Sequence, residues 1–284
     1  MVFLVAWHQR QFRVSFMWLS WGRIHMNNKN IVGIIPARMG SSRFPGKPLE
    51  KILNMPMIGH VYKRAQMSRI LNEVYIVTPD KTIANYAESI GAKCVMGRND
   101  HPGCSDITAE AMLKIEAETG KKLDIVVMLQ GDEPMIVPEM IDLAVQPLIE
   151  SDSIEVLNLM APIRSEEEHH DPNCPKVVVD KENFALYFSR EAIPSRKKWK
   201  GGDIPMFKQV CIIPFKRDFL LQFNAWAPTP LERIESIDMN RVLENGHKVK
   251  MVYEEFETYS VDTPADLAKV EKKMAEDPLV KTYA

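Results

Sequence analysis

Between Arg38 and Lys47 the chain sets three cations and two hydroxyls close together, Arg38, Ser41, Ser42, Arg43 and Lys47, with no carboxylate among them. Guanidinium and ammonium groups gathered with free backbone N–H groups suit a polyphosphate, so the expected ligand is a nucleoside triphosphate. The loop is not of the GxxxxGK[ST] kind, and GxGxxG is also absent. A second candidate is the phrase QGDEP, which offers Gln130 and Asp132. A carboxylate beside a triphosphate is suited to holding Mg²⁺, a hard cation that takes oxygen ligands. Asp262, in YSVDTP, either caps the helix that follows or supplies a second carboxylate for that ion. Arg190, at the end of ALYFSR, is a candidate anion contact, and Glu232 and Glu235 lie three positions apart on one helix face, where they could bond sugar hydroxyls.

These groups need elements to position them. Ile31, Val32, Ile34 and Ile35 form a β-branched run that reads as a strand buried on both faces, and Pro36, Gly40, Pro45, Gly46 and Pro48 end it in an irregular loop. Met57 to Arg69 reads as a helix with Pro56 in its first turn, Glu73 to Thr78 as a strand, and Asp80 as the cap of a helix running to Ile90. Cys94 to Met96 and Asp124 to Leu129 read as further strands, with a helix over Ser105 to Glu118 between them. Strand and helix alternating in this way predict a mostly parallel α/β sheet. Ligands in such sheets collect outside the carboxyl ends of the strands, so the cationic loop and Asp132 should face one crevice.

Beyond Ser153 strands follow one another: Ile154 to Met160, Lys176 to Asp180, Ala185 to Ser189 and Phe207 to Phe215. They predict a smaller mixed β lobe within about 160–225. Glu166 to Asp171 reads as a solvated loop and Arg196 to Lys200 as a basic surface loop. Pro230 to Asn245 reads as one helix ended by Gly246, followed by a strand from Lys248 to Tyr253 and a last helix. Residues 1–29 hold three tryptophans and three arginines with no acid, and read as an N-terminal extension, disordered or from a misassigned start, ahead of one domain over 30–284.

The chain has 284 residues and a net charge of −2, a balance that points to neither nucleic acid nor a membrane surface as partner. No apolar run is long enough to span a bilayer. Its four cysteines lie far apart without a CxxC pair, which argues against a disulfide framework or a zinc knuckle and for a reducing, cytoplasmic setting.

Several phrases in fixed order resemble the CMP-KDO synthetases, the cytidylyltransferases that activate 3-deoxy-manno-octulosonate (KDO). They are RxGSSRxPGKPL from Arg38, HxxxRA from His60, QGDEP from Gln130, ALYFSR from Ala185, PLExIE from Pro230, RVLxxG from Arg241 and VDTPxDL from Val261. The resemblance implies a nucleotide-diphospho-sugar transferase sandwich, a homodimer, and transfer of CMP from CTP to an acidic sugar with release of pyrophosphate. It implies that Arg38, Ser41, Arg43 and Lys47 bind the CTP phosphates, that Arg38, Lys47 and Asp132 carry catalysis, and that Asp132 and Asp262 hold Mg²⁺. Departures cluster on the acceptor side, where the family's SGT[DE]R arginine is Ile107, its HxGIYxYR histidine is Gln209 and its helix glutamine is Met239. They leave open another acceptor, an 8-amino-KDO, a nonulosonate or a phosphonate, and a non-catalytic nucleotide-binding module.

Overall fold

The computed structural model describes residues 29–41, 43–101, 103–201 and 204–284. The reading of the N-terminal extension and of Ser42 lies outside them. Strand β1 (Ile31–Pro36) leads through the cationic loop and one 3₁₀ turn (Lys47–Leu49) to a small hairpin, β2 (Lys51–Ile52) and β3 (Met55–Pro56). There follow α1 (Met57–Ala65), β4 (Glu73–Thr78), α2 (Lys81–Ser89), β5 (Lys93–Met96), α3 (Cys104–Thr119), β6 (Ile125–Leu129) and α4 (Pro138–Glu150). The first sheet has the order β11-β6-β1-β4-β5, parallel except for β11 (Ile212–Lys216), which runs antiparallel to β6. Side chains alternate across β1: Val32 and Ile34 enter a core shared with α3, while Ile31 and Ile35 enter a core shared with α1, α2 and α4. Burial on both faces is why this strand reads as a continuous apolar run.

The second sheet is mixed, in the order β12-β7-β10-β8-β9. Its strands are β7 (Leu157–Pro162), β8 (Lys176–Val179), β9 (Ala185–Ser189), β10 (Phe207–Val210) and β12 (Lys250–Tyr253). β12 lies beyond the 160–225 interval expected for the smaller lobe, and β11, inside that interval, belongs to the first sheet. The run from Phe207 to Phe215, expected as one strand, is divided at Cys211 because its two halves pair in different sheets, β10 with β7 and β11 with β6.

Other expectations are corrected. Helix α1 stops at Ala65, four residues early, where the Met67 and Ser68 N–H groups turn back to the Arg64 and Ala65 carbonyls. Pro56 stands at its N-cap, not inside its first turn. Glu166–His170 forms a short helix, α5, capped by the Ser165 hydroxyl, with His169 buried. After α6 (Arg217–Ala225), the segment expected as one helix is two, α7 (Pro230–Glu235) and α8 (Met239–Glu244), parted at Ser236, whose φ of 53° is left-handed. The last helix, α9 (Pro264–Glu276), is capped by a Thr263/Asp266 capping box, so Asp262 is not its cap.

The C-terminal segment folds back onto α1 and closes a third core around Ile52, Met57, Val261 and Met274. Arg64, 1 % exposed, donates to Asp277 Oδ2 at 2.5 Å and to the Tyr283 hydroxyl at 2.8 Å. His60 bonds the same hydroxyl at 3.0 Å and the Ile52 carbonyl at 2.9 Å, and burial keeps its pKa below the usual value. The HxxxRA phrase thus fastens the segment that carries Asp262. Arg64→Ala removes the buried member of this pair, together with its bond to Tyr283, and is expected to cost about 3 kcal/mol in urea unfolding; a loss below about 1 kcal/mol would place the fastening elsewhere.

Candidate active site

The loop after β1 is shaped by its own backbone. The Met39 carbonyl accepts from both Ser41 and Gly46 N–H, at 3.0 and 2.9 Å, and Gly46 takes a φ of 79° that a side chain would strain. Asp80, expected to cap α2, makes no cap bond there; its Oδ2 accepts the Met39 N–H at 2.8 Å and anchors the loop. Ser41 Oγ accepts from the Phe44 N–H at 3.3 Å. The loop therefore lies at the carboxyl end of β1, next to that of β6. There a Cβ on Gly131 would come within 2.9 Å of the Pro36 carbonyl, so the glycine of QGDEP lets the two strand ends approach.

Three residues distant in sequence meet at this point. Lys47 Nζ donates to Asp132 Oδ2 at 2.6 Å, to Asp262 Oδ1 at 3.2 Å and to the Val261 carbonyl at 3.0 Å. Arg43 donates to the same Asp262 oxygen at 2.8 Å and to Asn173 Oδ1 at 2.7 Å. The Val261 N–H bonds the Asp132 carbonyl at 2.9 Å, which fixes the two carboxylate-bearing loops against each other. With α9 capped by Thr263, the Asp262 carboxylate is left for the cations.

Above this cluster opens a cavity of about 1280 Å³, with Arg38, Arg43, Gln130, Asp132, Arg190, Glu232 and Asp262 on its walls. Lys47, Ser41 and Glu235 are not on its walls. Glu235 accepts from the Tyr187 and Ser189 hydroxyls and the Arg190 N–H at 2.9, 2.8 and 2.7 Å. Burial works to raise its pKa, yet these donors together bring it below the usual value. Arg190 spends its guanidinium on the carbonyls of Glu235, Pro172 and Ser236. Glu232 pairs with Arg241 at 2.5 Å and 2.7 Å across the α7–α8 break. The two glutamates are thus engaged by protein groups.

Other residues on the cavity wall differ in character: Ile107, Gln209, Ile213, Cys104 and Cys211, together with Glu133 and Asp238. Met239, counted among the acceptor-side departures, is buried in the core instead. Gln209 Nε2 donates to Asn158 Oδ1 at 2.5 Å. Lys208 is paired with Glu168 at 2.6 Å. Burial, with Asp132 next to it, pushes the Glu133 carboxyl up to about 7, and burial beside Glu232 pushes Asp238 up to about 6. Burial also raises the Cys104 thiol to about 11 and Cys211 well above its usual value, so neither supplies a thiolate nucleophile near neutral pH. Sequence reading missed Asn173, Val261 and Asp238: Asn173 meets Arg43 from 130 positions away, and Val261 acts through its carbonyl, which its side chain does not advertise.

The Glu133 shift has a defined pH signature. Between its ordinary value of 4.5 and about 7 the folded chain holds a proton that the unfolded chain has lost, so its contribution falls as pH rises through that window. Glu133→Gln is expected to raise unfolding stability at pH 8 by on the order of 2 kcal/mol, and by much less at pH 5. An equal change at both pH values in urea titrations would show that Glu133 is not held protonated.

The model of the family described as cytidylyltransferase matches residues 32–255. A protein of Geobacter metallireducens named 3-deoxy-manno-octulosonate cytidylyltransferase is 41 % identical over 254 residues, covering 86 % of this chain and 98 % of that one. Its namesake from Pelobacter propionicus is 42 % identical over 253 residues, covering 86 % and 97 %. Among solved structures, that of CMP:2-keto-3-deoxy-manno-octonic acid synthetase complexed with CTP superposes with a TM-score of 0.80 at 36 % identity, over 87 % of this chain and 99 % of that one. A loop of cations at the end of β1, facing two carboxylates over a shared cavity, thus sits on a fold and a sequence of one kind: the chain belongs to the cytidylyltransferase family of nucleotidyltransferases, among relatives named for 3-deoxy-manno-octulosonate.

Proposed function

We propose that the protein transfers CMP from CTP to KDO, giving CMP-KDO and pyrophosphate for lipopolysaccharide synthesis. The observation that carries this reading is the meeting of Lys47, Arg43, Asp132 and Asp262 beside Arg38 at the carboxyl ends of β1 and β6. The cavity also exceeds the roughly 300–1,000 Å³ of a single-ligand pocket, as a site for two substrates requires. Arg38, Arg43 and Lys47 bind the phosphates, and Arg38 and Lys47 offset the charge that grows on the leaving pyrophosphate. Ser41, beside them in the loop, lies on the same phosphate side. Gln130 and the Arg190 region line the nucleotide side of the cavity, and Glu232 and Glu235 support that wall through Arg241 and Arg190. The acceptor hydroxyl attacks the α-phosphorus in line, and the chain's main contribution is to hold the two reactants in that alignment.

Asp132 Oδ2 and Asp262 Oδ1 reach one nitrogen, so their separation cannot exceed the two bonds laid end to end. Among the described residues no group of three or more His, Cys, Asp or Glu is placed to hold a metal ion. Two hard oxygen donors fit Mg²⁺, which is commonly held by one or two carboxylates with substrate phosphates completing the shell. When bound, such an ion supplies charge neutralisation on phosphate and acidifies an attacking hydroxyl. We place the reaction in a reducing cytoplasm and in a homodimer; four free cysteines accord with the first, and the family resemblance with the second.

Asp132→Asn is expected to lower pyrophosphate release about a hundredfold or more while leaving the circular dichroism spectrum unchanged; full activity in that variant would sink the assigned role. A second reading, the same chemistry on another acidic acceptor, is favoured by Ile107 and Gln209 on the cavity wall, since isoleucine offers a carboxylate no bond. On that reading the wild type releases pyrophosphate slowly with KDO, and Ile107→Arg raises kcat/KM for KDO about tenfold. Fast turnover of KDO by the wild type, with no gain in the variant, settles the acceptor as KDO.

A further inference from the structure

Lys47 has three N–H donors, and all three are spent on Asp132 Oδ2, Asp262 Oδ1 and the Val261 carbonyl. It cannot bind a triphosphate without giving up at least one of them. The same two carboxylate oxygens are the ones assigned to the divalent cation, and they cannot serve an ammonium and a metal ion at full strength together. Charge counting agrees: Asp132 and Asp262 are matched by Lys47 and Arg43, which share an oxygen of Asp262. A dication added to that balanced set gains no net attraction unless a polyanion draws the two side chains away.

We propose that Lys47 is an exchangeable counter-ion, which holds Asp132 and Asp262 together and releases them only when a triphosphate enters with its divalent cation. The inference rests on the metal and triphosphate roles given above and adds an order to them. Lys47 keeps two like-charged carboxylates from repelling each other apart, so the metal ligands are already positioned when they are needed. Its side chain lies only 13 % exposed in the protein, which shields the contacts from water and salt. On exchange, the ammonium turns from carboxylate to phosphate and takes up its role on the leaving group. Nucleotide and metal are therefore coupled through Lys47, and each favours the other.

The test is Mn²⁺ binding to the full chain without nucleotide, read as the loss of the free-ion electron paramagnetic resonance signal. Lys47→Met is expected to bind Mn²⁺ about tenfold or more tightly than the wild type. The double variant Lys47→Met, Asp132→Asn should fall back to the weak wild-type level. Arg43→Ala, at an exposed side chain that does not threaten folding, should shift affinity in the same direction by a smaller factor. Affinity unchanged in Arg43→Ala and in a folded Lys47→Met overturns the exchange. A parallel titration with CTP present separates the two layers. If Asp132→Asn weakens Mn²⁺ binding there while Lys47→Met gains nothing alone, only the exchange fails; if Asp132→Asn has no effect, the metal assignment fails and the exchange with it.

Discussion

The structure depends on one ammonium group. Lys47 joins the loop after β1 to residues 85 and 215 positions further on, and its partners are two carboxylates that would otherwise repel each other. To satisfy it, the fold must bring three segments to one point. The parallel order of β6, β1 and β4 puts the ends of β1 and β6 side by side. The third segment comes from the opposite end of the chain, held by the Val261 bond to the Asp132 carbonyl and, further away, by the Arg64–Asp277 pair under α1. Thus a contact outside the cavity wall helps hold the segment that carries Asp262.

How much of this could be read beforehand follows from how locally each feature is determined. The inner strands β1, β4 and β6 of the first sheet were legible because both faces are buried and the residues are largely β-branched, a signal that needs no knowledge of partners. Break points were not. Phe207 to Phe215 is apolar throughout, and only the choice of a different neighbour for each half divides it at Cys211. Ser236 interrupts a good helical pattern, and Glu232 on α7 pairs with Arg241 on α8 across the turn. Helix α4 was not among the expected elements; Pro138 opens it where a missing N–H costs nothing, and Pro147 is carried inside it.

For the site, residue type suggested a chemistry but could not show the company. Arg38, Lys47 and Asp132 could be chosen because cations and carboxylates at the ends of buried strands have few structural reasons to be there. That Lys47, Arg43 and Asp262 touch is a tertiary fact. Conversely, Glu235 and Asp80 carry chemistry that the fold absorbs: the first fixes the Ser189–Arg190 turn, and the second anchors the loop at Met39. A carboxylate aimed at backbone N–H groups has the same spelling as one aimed at a ligand, and only its partners tell them apart.

The cavity wall carries charge of both signs, and this bears on ligands more than any single contact. Arg38 and Arg43 line it. Lys208 and Arg241, on the same wall, are spent on Glu168 and Glu232, and the carboxyls of Glu133 and Asp238 are pushed up to about 7 and about 6. Such groups donate a hydrogen bond when protonated and accept one when ionised, so they can grip hydroxyls in either state. A fixed negative charge on a ligand meets them well only in the protonated state, and the two groups together make the cavity sensitive to pH between about 6 and 7.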